Sequence, residues 1–425
     1  MSSKSLSSKE PSGNRLIRGS LSQIKAIQSY LGPLGGASSP ALDALLFLGL
    51  IGIYYPGWGR VMAWMACAAA LLRYSELSIN TVLVRNVGIL LACLLFASAL
   101  SANRLLSASA VVDIALGFCM FLPGMLFGRQ LLVRPFQAVP LLLACLFAVI
   151  HLAFPVSYLG RISYGFFDNP NINGRGLTYA AILLGILICS FARFPLQSRI
   201  SRLQRFLRIS LFAISFGGVA SLLIVTNYRA GWLAIGSFLL VSYLVLGRAM
   251  LAQKIIFASA LCGAVTGLVL FVDVKGFGYG SVGERVLMWT CSAESWIKSY
   301  FWFGAGFDSF KSLQLSCLPE SALGLHSFPH NVLIELLLSG GIVGSVCVFI
   351  FVVVQFSALR REGCLKSPVA VAALCAILGL LVSSQFGMKF ASFTYVGSIS
   401  ALFGIAYSQR LASKAVGAQD SVVRC

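Results

Sequence analysis

Two of the three histidines in this chain stand four residues apart, in His326-Ser-Phe-Pro-His330-Asn331, directly before a long apolar run. An imidazole, with an ordinary pKa of about 6.5, is the side chain best suited to take up a proton near neutral pH. The run that follows reads as a helix entering a membrane, and the start of a helix is a positive end where anions settle. Pro329 suits that helix's first turn, where its missing N–H costs nothing, which places Ser327 or Phe328 at the cap. Ile334, Leu337, Gly341 and Gly344 recur at helical spacing, and the two glycines predict a smooth face for a neighbouring membrane helix. The chemistry this pattern offers is the handling of something anionic, with a base beside it, where a polar loop meets a membrane.

Four arginines extend the pattern. Arg229 lies in the short turn Thr226-Asn-Tyr-Arg-Ala-Gly-Trp232, and Arg285 in Gly283-Glu-Arg-Val-Leu-Met-Trp289. Arg161 and Arg175 flank Phe167-Asp-Asn-Pro-Asn-Ile-Asn-Gly174, a turn-rich segment. Any one of them alone reads equally well as a side chain snorkelling to the membrane surface. Together they bring guanidinium forks, which bind phosphate oxygens two at a time and stay charged at any working pH. Arg229 and Arg285 are the candidates to hold a diphosphate, with Arg161, Arg175, Asn331 and His326 as further binding residues. His326 is either a partner to His330 or an ordinary loop histidine.

The elements that must position these residues follow from composition. The chain has 425 residues, 58% of them hydrophobic and only 11% charged. Soluble domains carry about 25% charged residues, so this is a polytopic helical membrane protein. The expected fold is all-α, a bundle of twelve transmembrane helices with one large external loop. The apolar spans fall near 41–56, 60–73, 87–102, 105–127, 138–156, 176–192, 209–226, 231–247, 255–272, 329–357, 368–386 and 390–408. The chain then divides into a polar cytoplasmic arm (1–40), nine spans (41–272), a periplasmic loop (273–328), three spans (329–408) and a cytoplasmic tail (409–425). The arm is expected to be disordered or to lie on the membrane surface, and it lacks the apolar core of a signal peptide.

With both termini inside, most of the 32 lysines and arginines fall in inner segments, as the positive-inside rule requires. His326 and His330 then face outward. The net charge of +19 is spent on this asymmetry, and a nucleic-acid partner is not expected. In the long loop, Val286, Trp289, Ala293, Trp296 and Tyr300 share a helical face, which predicts an amphipathic helix at the membrane surface. Gly304-x-Gly306 reads first as a tight turn and only weakly as a phosphate cradle. Cys291 and Cys317 share this loop, on the oxidising side of the membrane, and are expected to pair; most of the other ten cysteines sit in apolar spans as small hydrophobes.

No metal or cofactor is expected. His326-x-x-x-His330 supplies two ligands where zinc takes three or four, and Glu335 stands too far along the helix to join them. Asp113 and Glu335 are acids inside apolar spans, which would suit proton coupling in a transporter or lipid flippase. Such proteins carry broken helices in two repeated halves, and the sequence has no such repeat.

The order of these motifs resembles the O-antigen ligase and O-antigen polymerase superfamily of bacterial membrane glycan transferases. The likeness rests on Arg229 in a short outer turn, Arg285-x-x-x-Trp289, Gly304-x-Gly306-x-x-x-Phe310, and His330-Asn-x-x-Ile-x-x-Leu-x-x-x-Gly341-x-x-Gly344. Asp168-Asn-Pro-Asn, before the sixth span, also looks like the family's outer-loop signature. The resemblance covers roughly residues 160–345. Phe301 departs from it where proline is common, and Asp308 where a third glycine is common. It implies metal-independent, inverting transfer of a glycan from an undecaprenyl-diphosphate carrier to an acceptor hydroxyl at the periplasmic face of the inner membrane. Arg229 and Arg285 would steady the leaving diphosphate and His330 would act as base. The acceptor would be lipid A–core for a ligase, or another lipid-linked repeat for a polymerase; a protein acceptor is a third option. The twelve-span layout leans toward the ligase.

Overall fold

The computed structural model describes residues 40–73, 81–101, 104–133, 143–144, 146, 155–158, 161–164, 170–193, 202–226, 228–246, 280–318, 328–385 and 389–410. The expected fifth span lies almost wholly outside these residues, as do the ninth span, the arm, nearly all of the tail, His151 and His326.

Apolar runs form helices where the sequence predicts them. They are α1 (Pro40–Gly52), α2 (Trp58–Leu72), α3 (Thr81–Ala99), α4 (Arg104–Cys119), α5 (Phe121–Val133), α6 (Pro170–Arg193), α7 (Arg202–Val225) and α8 (Arg229–Leu246). In the long loop and after it come α9 (Gly280–Ser299), α10 (Phe310–Cys317), α11 (Val332–Arg361), α12 (Pro368–Ser384) and α13 (Phe393–Ser408). Among the described residues, three stretches are long and apolar enough to cross a membrane: Ser107–Leu131, Arg229–Leu246 and Val332–Arg361. Several others, among them Trp58–Leu72, Pro368–Ser384 and Phe393–Ser408, are shorter apolar helices. The all-α expectation needs one amendment, an antiparallel hairpin of Pro155–Tyr158 with Arg161–Tyr164, in register Val156 to Ser163. Its first strand begins where the sequence reading still had the fifth span.

Small residues let the helices approach closely. Gly124 and Gly128, one turn apart on α5, lie against the backbone of Ala401 and Ile405 on α13, and Gly404 returns the contact at Phe121. Such glycine faces are how membrane helices pack without a hydrophobic drive between them. Beyond α13, fully buried Gln409 donates to the Gly128 carbonyl (3.0 Å) and accepts from the Ser367 hydroxyl (2.9 Å). Outward, Phe349, Ile350, Val353 and Phe356 on α11 are exposed, a surface suited to lipid.

The long loop has a small core of its own, built from Met288, Cys291, Ala305, Phe310, Leu318 and Leu338. The α9 face differs from the one expected. Met288, Cys291 and Ser292 are buried, Trp289 and Trp296 are half-buried, and Val286 points out. Cys291 and Cys317 form a disulfide with Cα atoms 5.5 Å apart, pinning α9 to α10 as expected. It closes a 26-residue separation. Cys291→Ser should therefore cost about 2–4 kcal/mol of stability, read as an earlier unfolding transition in detergent, and reductant should reproduce the loss.

The clearest departure concerns Gly341. It is no packing glycine but a break in α11, with φ 62° and ψ −166°, a region open to glycine alone. Two helical bonds across the break are exchanged for bonds to the loop. The Leu338 and Ser339 carbonyls accept from the Ala305 (2.7 Å) and Gly306 (3.0 Å) N–H groups. In return the Ile342 and Val343 N–H groups donate to the Phe301 (2.9 Å) and Trp302 (3.1 Å) carbonyls. Gly304-x-Gly306 is thus the turn that makes this splice: the Ala305 and Gly306 N–H groups are engaged in it, and the Gly304 N–H donates to the Tyr300 carbonyl (3.0 Å). A Cβ on Gly341 would collide with the Trp302 carbonyl, whereas one on Gly344 would meet nothing within 4 Å. Gly341→Ala should destabilise the protein by about 1–3 kcal/mol from backbone strain alone. Gly344→Ala should be neutral or slightly stabilising in the same thermal unfolding series.

Candidate functional site

His330 is built into a turn that three neighbours hold. The cap of α11 is Asn331, whose side-chain oxygen accepts from the N–H groups of Leu333 (3.0 Å) and Ile334 (3.1 Å). Pro329 therefore stands two residues before the cap and outside the helix, because a capping asparagine satisfies orphan N–H groups that proline and phenylalanine leave unmet. His330 adopts φ 57°, a left-handed conformation that costs energy for a residue with a Cβ. Its ring lies 4.2 Å from that of Phe328. From α9, the Trp289 indole N–H donates to the Pro329 carbonyl at 2.8 Å.

That last bond joins two motifs forty residues apart. Arg285 is four residues before Trp289 on α9, hence on the same helical face. The structure so brings the Arg285 face onto the His330 turn. Arg285, His330 and Asn331 are all half-buried.

Arg175, in the second turn of α6, and Arg229, at the start of α8, adjoin Gly174 and Tyr228, which lie against each other. Gly174 and Gly231 leave room there for the Tyr228 ring, which a Cβ on either glycine would strike. Thr178 donates to the Gly174 carbonyl at 2.7 Å, closing the same contact. Both arginines are half-buried. Arg161 lies in the second strand of the hairpin, where only its backbone is described.

A row of buried tyrosines runs between the two arginine groups. Tyr54, just past α1, accepts from Ser398 (2.8 Å) and lies within electrostatic reach of Arg175, Tyr228 and Tyr395. Tyr395 in turn lies within reach of Glu335. Glu335, buried on α11, accepts from the Phe390 N–H (2.8 Å). Lys389 forms an ion pair with Asp308, and Asp308 has φ 63°, which explains why glycine would suit that position. The starts of α6, α8, α11 and α13 thus gather at one end of the bundle. Their N-terminal dipoles and the arginines make that end electropositive. Asp113, by contrast, is exposed on the side of α4.

Sequence reasoning missed the tyrosines, the tie from Glu335 to Phe390 and the role of Trp289 as a clamp. The spacing Arg285-x-x-x-Trp289 was visible, but only the fold shows which carbonyl the indole reaches. A half-buried base beside guanidinium groups and helix N-termini can deprotonate a hydroxyl while stabilising a growing anionic charge.

No curated protein matches the chain. Residues 211–349, which hold Arg229, Arg285, His330 and Asn331, match the family model Wzy_C, described as O-antigen ligase. Taken with the helical membrane architecture and the Arg–His end of the bundle, this match supports membership of the chain in the O-antigen ligase superfamily.

Proposed function

We propose that the protein transfers a glycan from an undecaprenyl-diphosphate carrier to a sugar hydroxyl of lipid A–core, at the periplasmic face of the bacterial inner membrane. The observation that carries this reading is the Trp289–Pro329 hydrogen bond, which seats the Arg285 helix on the His330 turn inside the segment matching the family. Arg229 and Arg285 hold the diphosphate and take up its charge as the glycosidic bond breaks. Arg175 adds to the same positive field; Arg161 and His326 remain further candidates for binding the donor. His330 accepts the proton of the attacking hydroxyl, which reaches the anomeric carbon opposite the diphosphate and inverts it. Asn331 holds the turn through its side-chain oxygen and leaves its amide group to meet the glycan. The reaction needs no metal in this scheme, because the charge is carried by guanidinium groups. The reading takes twelve spans with both termini cytoplasmic, as the distribution of basic residues favours, so that the site lies outside, where both substrates have their sugars.

Polymerization of lipid-linked repeats would use the same groups with a different acceptor. Lipid analysis of a deletion strain separates the two. Loss of a ligase leaves bare lipid A–core, and that is the expected result. Core carrying a single repeat would mean a polymerase, and unchanged lipopolysaccharide would overturn both readings.

A further inference from the structure

Tyr228 carries a polar group the fold does not use. The residue is 6% exposed, and its hydroxyl is buried with no hydrogen-bond partner among the described residues. The rest of it is well placed. Its carbonyl accepts from the N–H groups of Gly231 (2.9 Å) and Trp232 (3.3 Å), opening α8. Its ring is wedged between Gly174 on α6 and Gly231 on α8. Buried hydroxyls are rarely left unpaired, and one that is calls for an explanation.

The surroundings say what would pair with it. The Tyr54 hydroxyl, within electrostatic reach of Tyr228, is bonded to Ser398 and not to Tyr228. Arg175 follows Gly174, against which the Tyr228 ring lies, Arg229 is the next residue in the chain, and the N-terminal turns of α6 and α8 come together here. Such surroundings favour an acceptor that is negatively charged.

We propose that the Tyr228 hydroxyl donates a hydrogen bond to a phosphoryl oxygen of the bound lipid diphosphate, making Tyr228 a substrate-binding residue alongside Arg175 and Arg229. The inference rests on the diphosphate donor of the proposed function and adds one neutral donor to its charged ones. A phenol here ties down an oxygen without adding charge, so it fixes the orientation of the diphosphate that the guanidinium groups attract.

Tyr228→Phe removes the hydroxyl and keeps the ring, so folding is preserved. The measurement pairs thermal unfolding of the ligand-free protein with binding of purified undecaprenyl diphosphate in detergent, using undecaprenol as control. Tyr228→Phe should leave the unfolding temperature unchanged or raised, since a buried unpaired group is removed. Its affinity for undecaprenyl diphosphate should fall about 10–100-fold, the worth of one hydrogen bond to a charged group, with undecaprenol binding unaltered. Undiminished diphosphate binding would overturn the inference, as would a lowered unfolding temperature, which would reveal a partner within the protein. If the wild type binds undecaprenol as tightly as undecaprenyl diphosphate, the proposed function and this inference fall together.

Discussion

His330→Ala should lower the rate of glycan transfer about 10²–10⁴-fold while leaving affinity for the donor lipid nearly unchanged. The split follows from the position of the imidazole. It stands in the turn before α11, beside the arginine-bearing helix, and in the proposed mechanism it serves the incoming hydroxyl and not the diphosphate. Alanine also removes a side chain from a left-handed turn, so a second variant separates chemistry from shape. Asparagine tolerates φ near 57° better than most residues, and His330→Asn should fold normally yet lose activity to a similar extent. His326→Ala should cost far less. The assay is transfer from a purified undecaprenyl-diphosphate glycan in detergent, with thermal unfolding checked for each variant. Full activity in well-folded His330→Ala would remove the base and leave the turn a packing element.

Arg285→Lys should cost about 10²–10³ in rate, although the formal charge is unchanged. A guanidinium presents paired donors in a plane, which an ammonium on a flexible stem does not replace. The lysine also shifts the charge on a helix whose register is locked by Trp289 and by the Cys291–Cys317 disulfide, so the helix cannot move to compensate. Arg229→Lys should behave alike. Rates near wild type for both variants would show that charge alone suffices and that no bidentate grip on the diphosphate exists.

Much of this arrangement is legible in the sequence, for reasons that differ residue by residue. Long apolar runs leave little choice but helices, because backbone groups inside a bilayer must be satisfied within the segment. Cys291 and Cys317 could be paired because they alone share the long loop. Arg229, Arg285 and His330 stood out because charge and imidazole are conspicuous against apolar surroundings. Other features were hidden by competing signals. Pro329 advertises a helix start more loudly than Asn331 does, yet the asparagine caps the helix. Gly341 has the spacing of a packing glycine, and only the approach of Phe301 and Trp302 reveals a break. Tyr228 and Tyr54 look like aromatic residues at a membrane surface, because the burial of both and the unpaired hydroxyl of Tyr228 are tertiary facts. The hairpin at 155–164 begins inside what reads as a continuous apolar span.

The splice at Gly341 has a bearing on how the protein is assembled. A newly inserted span has only its own backbone to satisfy its polar groups, and each unmet group in hydrocarbon costs several kcal/mol. Val332–Arg361 therefore enters the bilayer unbroken. The break requires residues 301–306 to be folded back on the helix, where they take over two of its bonds. The 301–306 segment would act in this as an internal assembly factor, rewriting a helix by taking over its backbone bonds.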